Sequence, residues 1–368
     1  MATITAVACA VRPFSRGTWL DEQKIASPMS VFPRFAASRS SWRGPGADLV
    51  TVLVRADDGL YGVGQTRGGT VVEAMIRDQF TPMLLGSDAG QIATRTEEIR
   101  RAAGPFARGG VASLAVSAVE LALWDLEARA AGQPLARVLG GTEHVELPTY
   151  VTCRAPEQLK GIAKSAVESL RAVKVGVPYG PVDGPEGLGG NLDLLRAFRE
   201  RIPDSVPLAV DCFMGWDEAY TVEFTRRAGE LNLAWIEEPL PPEDVDGYAR
   251  LRGRLGPVRL AAGEHLFGLA EGLRYLDAGC VDIIQPDVTW CGGIRVAATL
   301  AAVAQERGVT FAPHAGGIQP WATHLLAACG PGVLAEVLLG LGDPPVLPVK
   351  PAKGVGAGVS PEPYGLQP

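Results

Sequence analysis

The stretch Leu208–Tyr220, "LAVDCFMGWDEAY", decides how the chain is read. A short apolar run stops on a carboxylate, Asp211, and a helix-like pattern begins soon after. A buried carboxylate is costly unless something compensates it. One acid at the end of one apolar run proves little, but the arrangement recurs. Working outward, short apolar runs alternate with helix-length segments: "PTYVTC", "RAVKVG", "PLAVDC", "LAWIEE", "VRLAAGE", "VDIIQPD", "VTFAPH" and "VLAEV". Such alternation argues for parallel βαβ units, and eight units over roughly 200 residues fit a (β/α)8 barrel. The competing architecture, an open doubly wound sheet, usually shows a Gly-rich phosphate turn after its first strand. Here "GVGQT" lies in an N-terminal hairpin and opens no helix.

Five of these runs end on an ionisable residue: Asp211, Glu237, Glu264, Asp287 and His314, at spacings of 26, 27, 23 and 27 residues. Each spacing is about one βα unit. In a barrel, successive strand ends come together at one mouth, where active sites lie. Three converging carboxylates repel unless protonated or neutralised. All-oxygen ligands select a hard ion, and Mg²⁺ keeps positions open for waters and substrate oxygens. Asp211, Glu237 and Glu264 are therefore the candidate metal ligands. Glu237 is chosen over Glu238 because alternation turns strand neighbours opposite ways. Asp287 and His314 read as a dyad, in which a carboxylate on one ring nitrogen raises the basicity of the other. A metal beside a poised base is machinery for taking a proton next to a carboxylate.

The bulk properties agree with an enzyme of this kind. The chain has 368 residues, 47% apolar and 20% charged, enough for one large and one smaller domain. The net charge of -7, with no Lys/Arg cluster, speaks against nucleic acid. No apolar stretch is long enough to span a membrane, and "MATITAVACAVRPFSRG" lacks the form of a signal peptide. Six cysteines lie far apart with no C-x-x-C pair, as expected of buried thiols in a reducing compartment. The expectation is a cytoplasmic homo-oligomer whose partner is a small molecule. Near the N-terminus, "DLVTVLVRADDGLYGVGQT" reads as a hairpin around Asp58-Gly59, and "VASLAVSAVELALWDLEARAAG" as a helix stopped by Gly132. The aperiodic, Pro- and Gly-containing segment at about 13–45 reads as a lid, since loops this long are usually functional. The division expected is 1–135 with the lid, a barrel over 145–340, and a segment 341–368 packing back on the first domain.

Several stretches together resemble the enolase superfamily in its mandelate racemase branch: "WIEE" with "LPPE", "GEH", "VDIIQPDVTWCGG", "PHAGG", "VKVGVPYGPVDGPEG", "VELALWDLEA" and "ASPMS". Within the branch they are most similar to the L-rhamnonate dehydratases, over nearly the whole chain. The resemblance implies a modified TIM barrel under an α+β capping domain. It implies one Mg²⁺ per subunit on Asp211, Glu237 and Glu264, the dyad Asp287–His314, and a substrate contact at Glu336. It also implies base-catalysed chemistry beside a Mg²⁺-held carboxylate.

Departures from the family pattern matter as much. Racemases of the branch carry Lys-x-Lys at the end of the second barrel strand, and the second Lys is the opposing base. Here Lys174 is followed at that place by Gly176. That argues against racemisation and suits a dehydratase in which one His performs both proton steps. In the lid, Trp19 matches the relatives' Trp, Thr18 stands where they have His, and Arg39 falls where they have Arg. "AGGIQPWATHLL", after His314, also departs from their run. Lys174 is expected to bind the substrate carboxylate and His265 to touch substrate, with His144 and His324 structural or on the surface. The reaction expected is dehydration of an acid sugar (an aldonate) to a 2-keto-3-deoxy acid. An epimerase, racemase or cycloisomerase on the same scaffold is the alternative and needs a second base.

Overall fold

The computed structural model describes residues 2–14, 25–32, 45–340 and 346–367. Most of the expected lid, including Thr18, Trp19 and Arg39, lies outside the described residues. The first sheet is antiparallel and three-stranded, in the order β1 (Ile4–Arg12), β2 (Leu49–Ala56), β3 (Tyr61–Thr66). The Asp58-Gly59 turn joins β2 to β3, with Gly59 at φ +84° and Asp58 Oδ1 accepting Leu60 N at 3.0 Å. The helix Val111–Ala130 crosses β3. It is apolar almost all round, as a helix buried on every side must be. A Cβ at Gly64 would lie 1.9 Å from Ala118 O. The glycines of "GVGQT" therefore serve close packing of helix on strand.

The second sheet has eight parallel strands: β4 (Thr149–Cys153), β5 (Val173–Gly176), β6 (Leu208–Asp211), β7 (Leu233–Glu237), β8 (Arg259–Ala262), β9 (Ile283–Ile284), β10 (Thr310–Phe311) and β11 (Ala335–Leu338). They fall on the eight apolar runs. From β4 to β10 each strand pairs with the next, and β11 pairs with β4. A bridge between Phe311 and Val333 closes the circle, with Phe311 N donating to Gly332 O at 3.0 Å. β9 and β10 are only two residues long because Pro286 and Pro313 follow closely and carry no N–H for the ladder. Tyr150 and Trp235 meet edge to face, 5.1 Å between centroids, among Ala172, Ala209, Ala261, Ile283 and Ala312 inside the barrel. Two large rings among small residues fill that interior.

The helix Val111–Ala130 joins the two sheets. Glu120 accepts Ile294 N at 2.6 Å and Arg295 N at 3.1 Å, capping the helix Ile294–Glu306. Ser113 Oγ donates to Trp290 O at 2.7 Å, and Gly292 N donates to Ser117 Oγ at 2.8 Å. Asp125 accepts Val63 N at 2.8 Å, Ala357 N at 2.7 Å and Arg129 Nε at 2.9 Å. Arg129 Nη2 reaches Val359 O at 2.9 Å, so the C-terminal segment is fastened to the same helix. Among the described residues no helix is long and apolar enough to cross a membrane. The six cysteines are unpaired thiols, four of them buried.

Candidate active site

The five ionisable residues stand at or just past the C-terminal ends of consecutive strands β6 to β10. Asp211, Glu264 and His314 line one pocket, together with Lys174, Arg154 and Trp290. Phe14, Ala47 and Arg67 of the first domain border it from the other side. Glu237 lies deeper, under the floor. Its Oε1 pairs with the ammonium of Lys174, and its Oε2 accepts Gln285 Nε2 at 2.6 Å. Lys174 is fully buried and also lies 2.7 Å from Glu336 and 3.6 Å from Asp211. Glu336 accepts Thr152 Oγ1 at 2.5 Å and Ala315 N at 2.7 Å. Lys174 lines the pocket while Glu336 lies beside it, and the two are paired with each other. Their polar atoms are engaged in the barrel's own network, because several carboxylates converge there and need a counter-charge.

Burial raises Glu237 to about 8 against the pull of Lys174, with Asp211 and Glu336 adding to the rise. Burial likewise raises Glu264 to about 7, against the pull of His314 and His265. His314 is pushed down by burial, but the carboxylates of Glu264 and Glu336 carry it up to about 10. Its Nδ1 lies 3.2 Å from an oxygen of each. The expected hydrogen-bonded dyad takes a different form. Asp287 Oδ1 accepts Thr289 N at 2.6 Å and Thr289 Oγ1 at 2.7 Å, and Oδ2 accepts Gln319 Nε2 at 2.9 Å. Asp287 therefore acts on His314 through its charge. Gln319, at the start of the helix Pro320–Ala328, shares the carboxylate of Asp287 with Thr289.

Glu238 sits at φ +41° and accepts Gly263 N, His265 N and, at 2.6 Å, His265 Nδ1. His265 is thus engaged by Glu238, with Phe213 edge-on at 5.4 Å, and is not among the pocket-lining residues. Among the described residues, Glu238, Glu264 and His265 also present ligand atoms within 4.8 Å of one another. His144 is exposed. His324 is buried, accepts Ala136 N at 3.2 Å and is pushed down to about 4 by that burial.

The donor set suits a hard divalent cation. Asp211 and Glu264 offer carboxylate oxygens to the pocket, and Glu264 accepts no backbone N–H among the described residues. Burial is the first reason that Glu237 and Glu264 lie above the usual carboxylate range, and neighbouring carboxylates add to it.

Two arginines of the pocket escaped sequence reading. Arg154 directly follows β4, where a strand-end charge could have been noticed. Arg67 follows β3; its Nη1 donates to Ala47 O at 2.9 Å and its guanidinium lies 4.4 Å over the Phe14 ring. Neither belongs to the regular spacing that exposed the other five.

Known proteins share this fold. The family described as "Mandelate racemase / muconate lactonizing enzyme, N-terminal domain" matches residues 35–140, and "Enolase C-terminal domain-like" matches 158–351. An L-rhamnonate dehydratase of Saccharopolyspora erythraea is 33% identical over 306 residues, 82% of this chain and 75% of that protein. The crystal structure of L-rhamnonate dehydratase from Gibberella zeae superposes with a TM-score of 0.83 at 30% identity, covering 92% of this chain and 83% of that one. A racemase from Streptomyces coelicolor A3(2) with bound magnesium gives 0.76 at 27% identity, covering 98% and 99%. A capping sheet fastened to an eight-stranded barrel with acids at its strand ends, matched along nearly its whole length, places the chain in the enolase superfamily, in the mandelate racemase and muconate lactonizing enzyme branch.

Proposed function

We propose that the protein is a Mg²⁺-dependent hydro-lyase of an acid sugar, converting an aldonate to a 2-keto-3-deoxy acid. One observation carries the reading: among the described residues a single imidazole, His314, lines a pocket with crowded carboxylates, and the end of β5 offers glycine where a second base would stand. The names of the dehydratase relatives from Saccharopolyspora erythraea and Gibberella zeae support it. Asp211, Glu237 and Glu264 would hold one cation per subunit, which when bound supplies the positive charge that stabilises a substrate carboxylate as its α-proton leaves.

The chain's own residues do the rest. Once the charge of Glu264 that carries His314 up is offset, the neutral imidazole takes the C2 proton with the ring nitrogen turned away from Glu264 and Glu336. The imidazolium is held by Glu336 and by the charge of Asp287. It returns that proton to the C3 oxygen as the C–O bond breaks, so water leaves and an enol remains, which tautomerises to the ketone. Lys174 pairs with Glu237 and Glu336 beneath the site and supplies their counter-charge. Trp290 packs beside His314, 5.9 Å between centroids at 32°. Residues 1–135 act as the cap, 145–340 as the barrel and 341–368 as the tie between them. The preferred acid sugar differs from L-rhamnonate, because Thr18 and the run after His314 depart from the dehydratase pattern.

The test is a panel of acid sugars with and without EDTA, scored for 2-keto-3-deoxy product. Chelator-sensitive formation of a 2-keto acid is expected. Conversion to a stereoisomer, or a 2-keto acid formed equally well after exhaustive chelation, overturns the reading.

A further inference from the structure

The register of the first two barrel strands brings an arginine and a glycine together. Cys153 pairs with Val175, so Arg154 and Gly176 are the next residues along their strands. A Cβ built on Gly176 would lie 3.5 Å from Arg154 Cγ, 3.6 Å from Nε and 3.7 Å from Cζ. The arginine therefore covers the space into which a side chain at 176 would begin to grow. Its backbone is anchored: Arg154 N donates to Gln158 Oε1 at 2.6 Å, and Gln158 Nε2 donates to Leu339 O at 3.3 Å. The guanidinium borders the pocket with Lys174, Asp211, Glu264 and His314. Lys174 is committed to Glu237 and Glu336 below. β4 is two strands from β10 around the barrel, so Arg154 and His314 reach the pocket from different sides.

We propose that Arg154 is a substrate-binding and specificity-determining residue, whose guanidinium over Gly176 holds a carboxylate or hydroxyl oxygen of the acid sugar away from His314. The assignment rests on the proposed function above. A guanidinium offers a planar fork of donors and remains charged. It binds oxygen well and takes no proton from carbon. The side of the pocket over β5 thereby becomes a binding side and not a second proton-transfer side.

The experiment compares Arg154→Gln and Arg154→Lys with wild type in the full chain, after thermal melts confirm folding. Steady-state kinetics on the best acid sugar of the panel is combined with a Mg²⁺ titration. Arg154→Gln is expected to raise KM about 10- to 100-fold, the range for losing a hydrogen bond to a charged group. kcat should fall much less, the Mg²⁺ requirement should stay close to wild type, and Arg154→Lys should recover part of the loss. An unchanged KM overturns the assignment. So does a shifted Mg²⁺ requirement without a change in KM, which makes Arg154 only a counter-ion to Asp211 and Glu264. Calorimetric titration of L-rhamnonate and galactarate into the Mg²⁺-loaded proteins separates this idea from the reaction itself. If wild type binds either sugar but dehydrates no acid sugar of the panel, the reaction falls, and a Kd at least about tenfold weaker in Arg154→Gln still supports the assignment. Equal Kd values, or no binding to wild type, overturn it.

Discussion

Among the described residues, buried carboxylates occur at the mouth of the barrel and at the seam between the two sheets, and Glu237 and Glu264 at the mouth are held differently from Asp125 and Glu120 at the seam. At the seam, Asp125 receives two backbone N–H groups and a guanidinium, and Glu120 receives two N–H groups from the start of a helix. At the mouth, Glu237 and Glu264 face other acids, one lysine and one histidine. The titration shift does not tell the two regions apart: burial raises Glu120 to about 7 and Glu237 to about 8. Their partners do. A buried acid met by backbone donors fixes shape, because amides cannot leave. A buried acid met by other acids leaves a demand for positive charge, which a cation and a substrate can satisfy.

The contrast can be broken or sharpened by substitution. The largest effect is expected of His314→Asn at the mouth. Positioned acid–base groups contribute about 10²–10⁴-fold, and this residue is assigned two proton steps, so turnover should fall by about 10⁴-fold or more. Mg²⁺ binding should survive. Exchange of the C2 proton in D₂O should vanish with it; exchange near the wild-type rate would point to another base, Lys174 first. Next is Glu264→Gln, which removes a proposed cation ligand. Outer partners of metal ligands are already worth about 10–100-fold in affinity or activity, so Mg²⁺ half-saturation should rise by at least that range, with activity following. Equal Mg²⁺ titrations for variant and wild type would move the cation elsewhere.

The seam should answer in stability and not in catalysis. Asp125→Asn weakens its bond to Arg129 and sets an amide N–H₂ against backbone donors. A loss of about 2–3 kcal/mol is expected, by chemical denaturation, with kcat of the folded fraction kept. A large loss of kcat at unchanged stability would erase the distinction between the regions. The smallest effect is a change of slope. Glu120 keeps its proton in the folded state up to about 7, against an ordinary 4.5. Its contribution to stability is therefore full below pH 4.5 and is lost as pH rises through 7. Glu120→Gln removes that loss, so melting temperature should fall less between pH 5 and 8 than in wild type. Parallel pH profiles would show that Glu120 is ionised throughout.

How much of this was legible in the sequence follows from the same contrast. Asp211 to His314 could be read because each strand contributes one strand-end group, and the repeat of the βα unit sets them in register. Asp287 sits among them, yet one of its two side-chain partners, Gln319, stands at the start of a later helix, and linear spacing does not report such a partner. Glu120 and Asp125 carried a signal that went unused: acids inside a helix with no polar face have to be paired. The partners themselves, residues 294 and 295 and residue 357, are far along the chain and belong to the tertiary fold alone. Arg154 stood in "VTCRAPEQLK" like any loop cation, and only the strand register sets it over Gly176.

The fastening of the helix Val111–Ala130 to the loop after β9 limits how the protein can be recombined. Ser113, Ser117 and Glu120 recur at helical spacing along one stripe and reach Trp290, Gly292 and the first amides of the helix Ile294–Glu306. A cap grafted from a relative brings its own stripe, and a mismatch there would leave those amides without an acceptor while loosening the indole that packs beside His314. Chimeras should tolerate exchange of the segment between β1 and β2 far better than exchange of this helix, so specificity can drift in the former while the latter is inherited with its barrel.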